Sequence, residues 1–162
     1  MNGSMKRTKE RKDERTKGLK NALSFSLPLA LWGPPLLWMS LIFLGSSLTG
    51  GHADDLTRQA SGVNEPIQIQ RIKDVLHITE YGILTLLLIR AFTGRSYRPS
   101  LKQTWLAFII ASLYGVSDEL HQYYVPSRYP GLDDIIRNIL GAALAAGLMY
   151  IIAHYRKRSQ HL

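Results

Sequence analysis

The sequence predicts an all-α membrane protein, a bundle of four transmembrane helices with both termini cytoplasmic. Three observations predict it. Long apolar stretches alternate with polar connections along a chain of 162 residues. The basic residues gather in the termini and in one connection. His77, Glu80, Asp118, Glu119, Asp134 and Asn138 sit at the ends of three of the apolar stretches. The mean hydropathy of −0.05 averages over these unlike regions. The domain reading is a basic cytoplasmic tail over 1–26, a membrane domain over 27–153 and a second basic tail over 154–162.

The first segment runs from about Leu27 to Ser47. Its length is roughly 31 Å at 1.5 Å per residue, enough for one crossing. Pro34 and Pro35 are expected to kink it. Gly45 and Ser47 are small enough for a signal-peptide cleavage site. The long polar region before the segment and the three apolar segments after it favour a retained span. Segment two is Val75–Phe92, segment three Gln103–Tyr124 and segment four Leu132–Ala153. The middle two carry ionisable groups, which a bilayer tolerates when they face one another rather than lipid. The stretch from Gly50 to Asn64, rich in Gly, Asp and Ser, reads as a flexible outer loop or a cover over the site.

The net charge is +8, and it does not point to nucleic acid. Fifteen of the twenty Lys and Arg residues fall in the N-terminal tail, the connection between segments two and three, and the C-terminal tail. The positive-inside rule places those three regions in the cytoplasm. Absence of cysteine excludes disulfides, zinc–thiolate sites and thiol nucleophiles.

With that orientation, segment two begins outside, segment three ends outside and segment four begins outside. Their polar residues therefore share one depth in the outer leaflet. Lys73, His77, Glu80 and Tyr81 lie on one face of segment two. Asp118 and Gln122 share a face of segment three, and Glu119 reaches Gln122 at i+3. Asp134, Asn138 and Gly141 share a face of segment four, with Arg137 beside it. His77 and Asn138 lie about one turn below the surface and are placed to meet.

Bland readings stand beside these. Lys73 can snorkel to the interface. Asp133, and Asp134 with it, can serve as first-turn acids favoured by the helix dipole. His121 can be an interfacial residue beside Tyr123 and Tyr124. The cluster as a whole can be polar glue that fixes helix register. Gly141, Ala142, Ala143, Ala145, Ala146 and Gly147 read as a close-packing surface. Trp32, Trp38 and Trp105 read as interfacial anchors.

The motifs resemble the VanZ-like family of small bacterial membrane proteins from about Trp38 to Gly147. The specific part is Asp118-Glu119-Leu120-His121-Gln122, then Pro126-Ser127-Arg128, then Asp134-x3-Asn138-x2-Gly141. His77-x2-Glu80-Tyr81-x2-Leu84 is a second part, and Ile42-Phe43 followed by Ser46-Ser47 a third. Two positions depart from the family pattern. Asp74 stands where a basic residue is usual, and Ser127 where a glycine is common. The resemblance implies a multi-pass protein of the bacterial cytoplasmic membrane with a cell-envelope role. The family is named for a protein linked to teicoplanin resistance.

The leading expectation is a binding site made of Lys73, His77, Glu80, Tyr81, Asp118, Glu119, Gln122, Arg128, Asp134 and Asn138. Its ligand would be a lipid headgroup, a lipid-linked precursor or a lipoglycopeptide. Arg128, Lys73 and Arg137 would hold anionic groups. The rival is a hydrolase or transferase with His77, Glu119 and Asp134 as candidate acid–base residues and Arg128 stabilising a developing anion. Ser46 and Ser47 are the only candidate nucleophiles for it. His77-x2-Glu80 and Asp118-x2-His121 have a spacing that bundle metal sites use. The balance nevertheless favours a site without metal or cofactor. The bilayer is the expected partner, and the oligomeric state is left open.

Overall fold

The computed structural model describes residues 28–94, 98–129 and 131–158. The N-terminal tail and Arg95 lie outside them. The described residues form five helices and no strand. They are α1 (Pro28–Ser46), α2 (Gly50–Ser61), α3 (Pro66–Thr93), α4 (Leu101–Gln122) and α5 (Leu132–Arg158).

Helix α1 runs without interruption through Pro34 and Pro35. Each proline removes one backbone donor, a loss that packing inside a helical bundle accommodates. Pro35 is fully buried. Helix α3 starts nine residues before the predicted segment, with Pro66 in its first turn, where a missing N–H is no loss. Its 28 residues give a rod of about 42 Å. The added turns carry Arg71, Lys73 and Asp74 beyond the apolar part. Helix α4 opens with a capping box, in which the Ser100 hydroxyl accepts from the Gln103 amide and the Gln103 side chain accepts from the Ser100 amide.

The predicted loop over Gly50–Asn64 is largely helix. Gly50–Ser61 forms α2, and Gly62 ends it in a left-handed conformation at φ 69°. The two glycines and two aspartates that suggested a loop fall in its first turns, where intrahelical bonding is least demanding. Helix α2 ties to α3 through an ion pair from Lys73 to Asp54 at 3.0 Å.

The long helices alternate in direction. Trp32 packs edge-on against Phe92, and the Trp38 indole donates to the Glu80 carbonyl at 2.9 Å, so α1 runs antiparallel to α3. The Tyr114 hydroxyl donates to the Met39 carbonyl, and His121 packs on Phe43, so α4 runs beside α1 in the same direction. The Gln103 amide donates to the Phe92 carbonyl and closes the far end of the α3–α4 pair. Helices α3 and α5 make the most extensive contact. Gly141 faces the Ile78 carbonyl so closely that a side chain there would overlap it.

The core lies where these helices meet. It contains Ile42, Tyr81, Leu84, Leu88, Ile89, Ala107, Ala111 and Ala142. Trp38 packs against this core and does not act as an interfacial anchor. The outward faces are apolar as well, with Leu37, Leu44, Leu86, Leu113, Leu144 and Ile151 all exposed. A continuous apolar exterior on a helical bundle suits lipid, not water. Helices α1, α3 and the Leu132–Arg156 part of α5 are long and apolar enough to cross a membrane. Helix α4 has 22 residues but carries Lys102, Asp118 and Glu119. It lies alongside the others over the same height.

Candidate functional site

The helix directions bring the first turns of α5, the last turn of α4 and the upper middle of α3 to one end of the bundle. All ten predicted binding residues lie in this region. His77 Nδ1 meets Asn138 Oδ1 at 3.0 Å. Asn138 is wholly buried, pressed between Gly115 and α3. The Gln122 amide donates to Asp118 Oδ2 and to Glu119 Oε1, both at 3.2 Å. Asp118 and Glu119 are only 4% and 2% exposed.

Polar atoms without partners gather here. Tyr81 Oη, Asp118 Oδ1, Glu119 Oε2 and Asn138 Nδ2 are buried with no hydrogen-bond partner within 3.5 Å, while Tyr81 faces Asp118 and the Gly131 amide faces Glu119 from farther off. Buried polar groups are nearly always paired, so four such atoms in one cluster call for a functional account. Among the described residues, no salt bridge reaches Glu80, Asp118 or Glu119.

The basic residues are disposed differently from one another. Lys73 is engaged by Asp54 of α2. Arg137 bonds Asp134 at 2.7 Å and Asp74 at 3.2 Å. Two carboxylates neutralise it, so Arg137 is not available for an anion as predicted. Arg128 makes no salt bridge. It donates to the Leu48 and Gly45 carbonyls beyond the end of α1, at 3.1 and 3.2 Å. Those bonds fix its position, and among the described residues no carboxylate forms a salt bridge with it. Glu80 and Glu119 lie within reach of its field.

Two adjoining cavities open at this end. One of about 390 Å³ is lined by Lys73, His77, Gln122, Arg128 and Asp134, with Asp54 and Gln70. A smaller one of about 120 Å³ reaches inward to Glu80, Ile42 and Ser46. Lys73, His77, Gln122 and Arg128 border both.

Other expectations are corrected. His121 turns away from the cluster, with Nε2 at 3.1 Å from Ser47 Oγ and its ring on Phe43. The predicted Asp118–His121 pair therefore does not assemble. Ser46 Oγ donates to the Ile42 carbonyl and Ser47 Oγ to the Phe43 carbonyl, so neither hydroxyl is paired with a base of the cluster. Asp133 is an exposed first-turn acid of α5. Instead, His77, Glu119 and Asp134 bring one donor atom each within 4.8 Å of one another. Asp54 and Gln70 line the larger cavity without having been singled out from sequence. Asp74 was noted only as a departure. Its charge next to Lys73 was the available signal, and its role is to hold Arg137.

A helical bundle with an apolar exterior and a polar cluster at one end defines a class, the integral membrane proteins. Within that class the chain belongs to the VanZ/LLP1 family, whose model matches residues 31–153. That span contains every residue of the cluster. No curated protein and no solved structure matches the chain.

Proposed function

We propose that this chain is a four-pass protein of the bacterial cytoplasmic membrane that binds an anionic headgroup at the outer leaflet. The ligand class is a phospholipid or a lipid-linked envelope precursor. Through it the protein contributes to tolerance of lipoglycopeptides of the teicoplanin type. The observation that carries the reading is the cavity of about 390 Å³ beside Arg128, whose charge no carboxylate pairs. A guanidinium held rigidly by carbonyls offers its remaining N–H groups to phosphate. Helix α2 and Lys73 close one side of that cavity.

The test expresses the wild type and Arg128→Gln in a Gram-positive host at matched membrane levels. The wild type is expected to raise resistance to teicoplanin but not to vancomycin, and the variant to lose the effect. Mass spectrometry of copurified lipid is expected to show an anionic species enriched on the wild type over Arg128→Gln. Equal lipid on both would overturn the headgroup reading. A wild type with no effect on teicoplanin would overturn the tolerance part alone.

A second reading is favoured by the closeness of His77, Glu119 and Asp134. Acid–base chemistry on the bound lipid would use that group. Glu119→Gln would then abolish turnover of a lipid-linked substrate while lipid still copurified.

A further inference from the structure

We propose that His77, Glu119 and Asp134 form a site for one divalent cation of the Zn²⁺ and Mn²⁺ class. The sequence alone favoured a site without metal, because His121 was free to point elsewhere. The cluster that assembles draws one residue from each of α3, α4 and α5. Their donor atoms lie within 4.8 Å of one another. A cation about 2.1 Å from each donor would need them about 3.4 Å apart, which side-chain torsions can supply.

The surroundings of the three residues repeat one arrangement. Each has one polar atom held by a neighbour and a second atom left over. His77 Nδ1 is held by Asn138, Glu119 Oε1 by Gln122 and Asp134 Oδ1 by Arg137. The second atoms are His77 Nε2, Glu119 Oε2 and Asp134 Oδ2. Metal-binding histidines and carboxylates are oriented in this way by outer neighbours. When Nδ1 donates to the Asn138 carbonyl oxygen, the lone pair is on Nε2. Glu119 is 2% exposed and its Oε2 has no hydrogen-bond partner within 3.5 Å, the Gly131 amide facing the carboxylate from farther off.

Charge favours a cation as well. Two carboxylates beside a neutral imidazole, with Arg137 shared between Asp134 and Asp74, leave a net negative charge that a cation offsets. Asp118 and Glu80 stand nearby without a salt bridge. Uncompensated carboxylates in a low-dielectric setting are costly, and a bound cation removes that cost. One imidazole with two carboxylates matches Zn²⁺ or Mn²⁺ better than a soft ion. His77 and Asp134 also line the larger cavity, so a further coordination position would face it.

The site is separable from headgroup binding, because the probe is the metal alone. The full chain in detergent is stripped with a chelator, loaded with Mn²⁺ or Zn²⁺ and passed through a desalting column. The wild type is expected to retain about one ion per chain. Glu119→Gln and Asp134→Asn should each weaken binding at least about tenfold. His154→Gln, toward the opposite end of α5 from Asp134, should bind as the wild type does. A folded wild type that retains no ion would overturn the site, and so would folded Glu119→Gln and Asp134→Asn variants that bind unchanged. If these variants fail to fold, melting of the wild type decides. A rise in Tm on adding metal supports the site, and an unchanged Tm overturns it.

Discussion

Gln122 determines how Asp118 and Glu119 coexist at the end of α4. Its single amide nitrogen donates to both carboxyl groups, and both are nearly buried. Gln122→Leu would keep most of the volume and leave two buried acceptors unmet. The expected loss is about 1–3 kcal/mol, read as a lower Tm in detergent. Ser117→Ala, at an exposed hydroxyl that bonds only the Tyr114 carbonyl, should leave Tm nearly unchanged. Ser127 gives a second expectation. Its φ is 59°, a left-handed conformation that a non-glycine residue adopts at a cost. Ser127→Gly should raise stability by about 0.5 kcal/mol, the relieved strain exceeding the added chain entropy. Much of this site could be read from the sequence, because polar residues in an apolar segment announce themselves. His77, Glu119, Gln122, Asp134 and Asn138 were all visible by that logic. Their pairing was not. Nothing in the order of residues says that Arg137 turns to Asp74 or that His121 turns to Ser47. Such choices depend on the crossing of helices, which no short-range pattern encodes.

The pairing of α3 with α5 depends on one small residue more than on the stripe that contains it. The sequence offers Gly141, Ala142, Ala143, Ala145, Ala146 and Gly147 as equivalent members of a packing surface. The structure separates them. A Cβ at Gly141 would overlap the Ile78 carbonyl, whereas a Cβ at Gly147 would meet nothing within 4 Å. Gly141→Ala should therefore cost about 1–3 kcal/mol by forcing the helices apart. Gly147→Ala should be neutral or slightly stabilising, since alanine is the better helix former. Gly141→Ala should also disturb the bond between His77 and Asn138, one residue and three residues away from the collision. Melting of the two variants side by side checks the contrast, and equal losses would show that α5 is held by the stripe as a whole. The four long helices were legible because each carries an apolar run, of membrane length in α1, α3 and α5 and shorter in α4. Helix α2 was not, because Gly-Gly-His-Ala-Asp-Asp reads as punctuation when no neighbour is known. Its helical state draws on contacts to α3 and on the Gly50 amide bonding the Pro126 carbonyl, neither of which is local.

The topology turns on α4. If α4 crosses, the bundle has four spans and both ends lie on one side. If it lies within the surface, three spans remain and the ends fall on opposite sides. The contacts argue for crossing. Helix α4 meets α3 at Phe92 through Gln103, meets α1 at Met39 through Tyr114, and reaches Phe43 through His121. It therefore covers the height that α1 and α3 cover, in a bundle whose outer faces are apolar throughout. Its acids do not oppose this, since Asp118 and Glu119 are buried toward α3 and α5 and away from lipid. The positive-inside rule, applied to the sequence, leads to the expectation that the connection between α3 and α4 is cytoplasmic. The chain has no cysteine, so single cysteines can be introduced without altering the background. Ser61→Cys and Tyr129→Cys should both react with a membrane-impermeant maleimide in intact cells, because four crossings put both loops outside. Lys102→Cys and His154→Cys should react only after permeabilisation. Ser61→Cys and Tyr129→Cys labelling from opposite sides would mean that α4 does not cross. The cavity, which draws on α2, α3, α4 and α5 together, could not then exist as described, because its walls would be divided between two faces of the membrane.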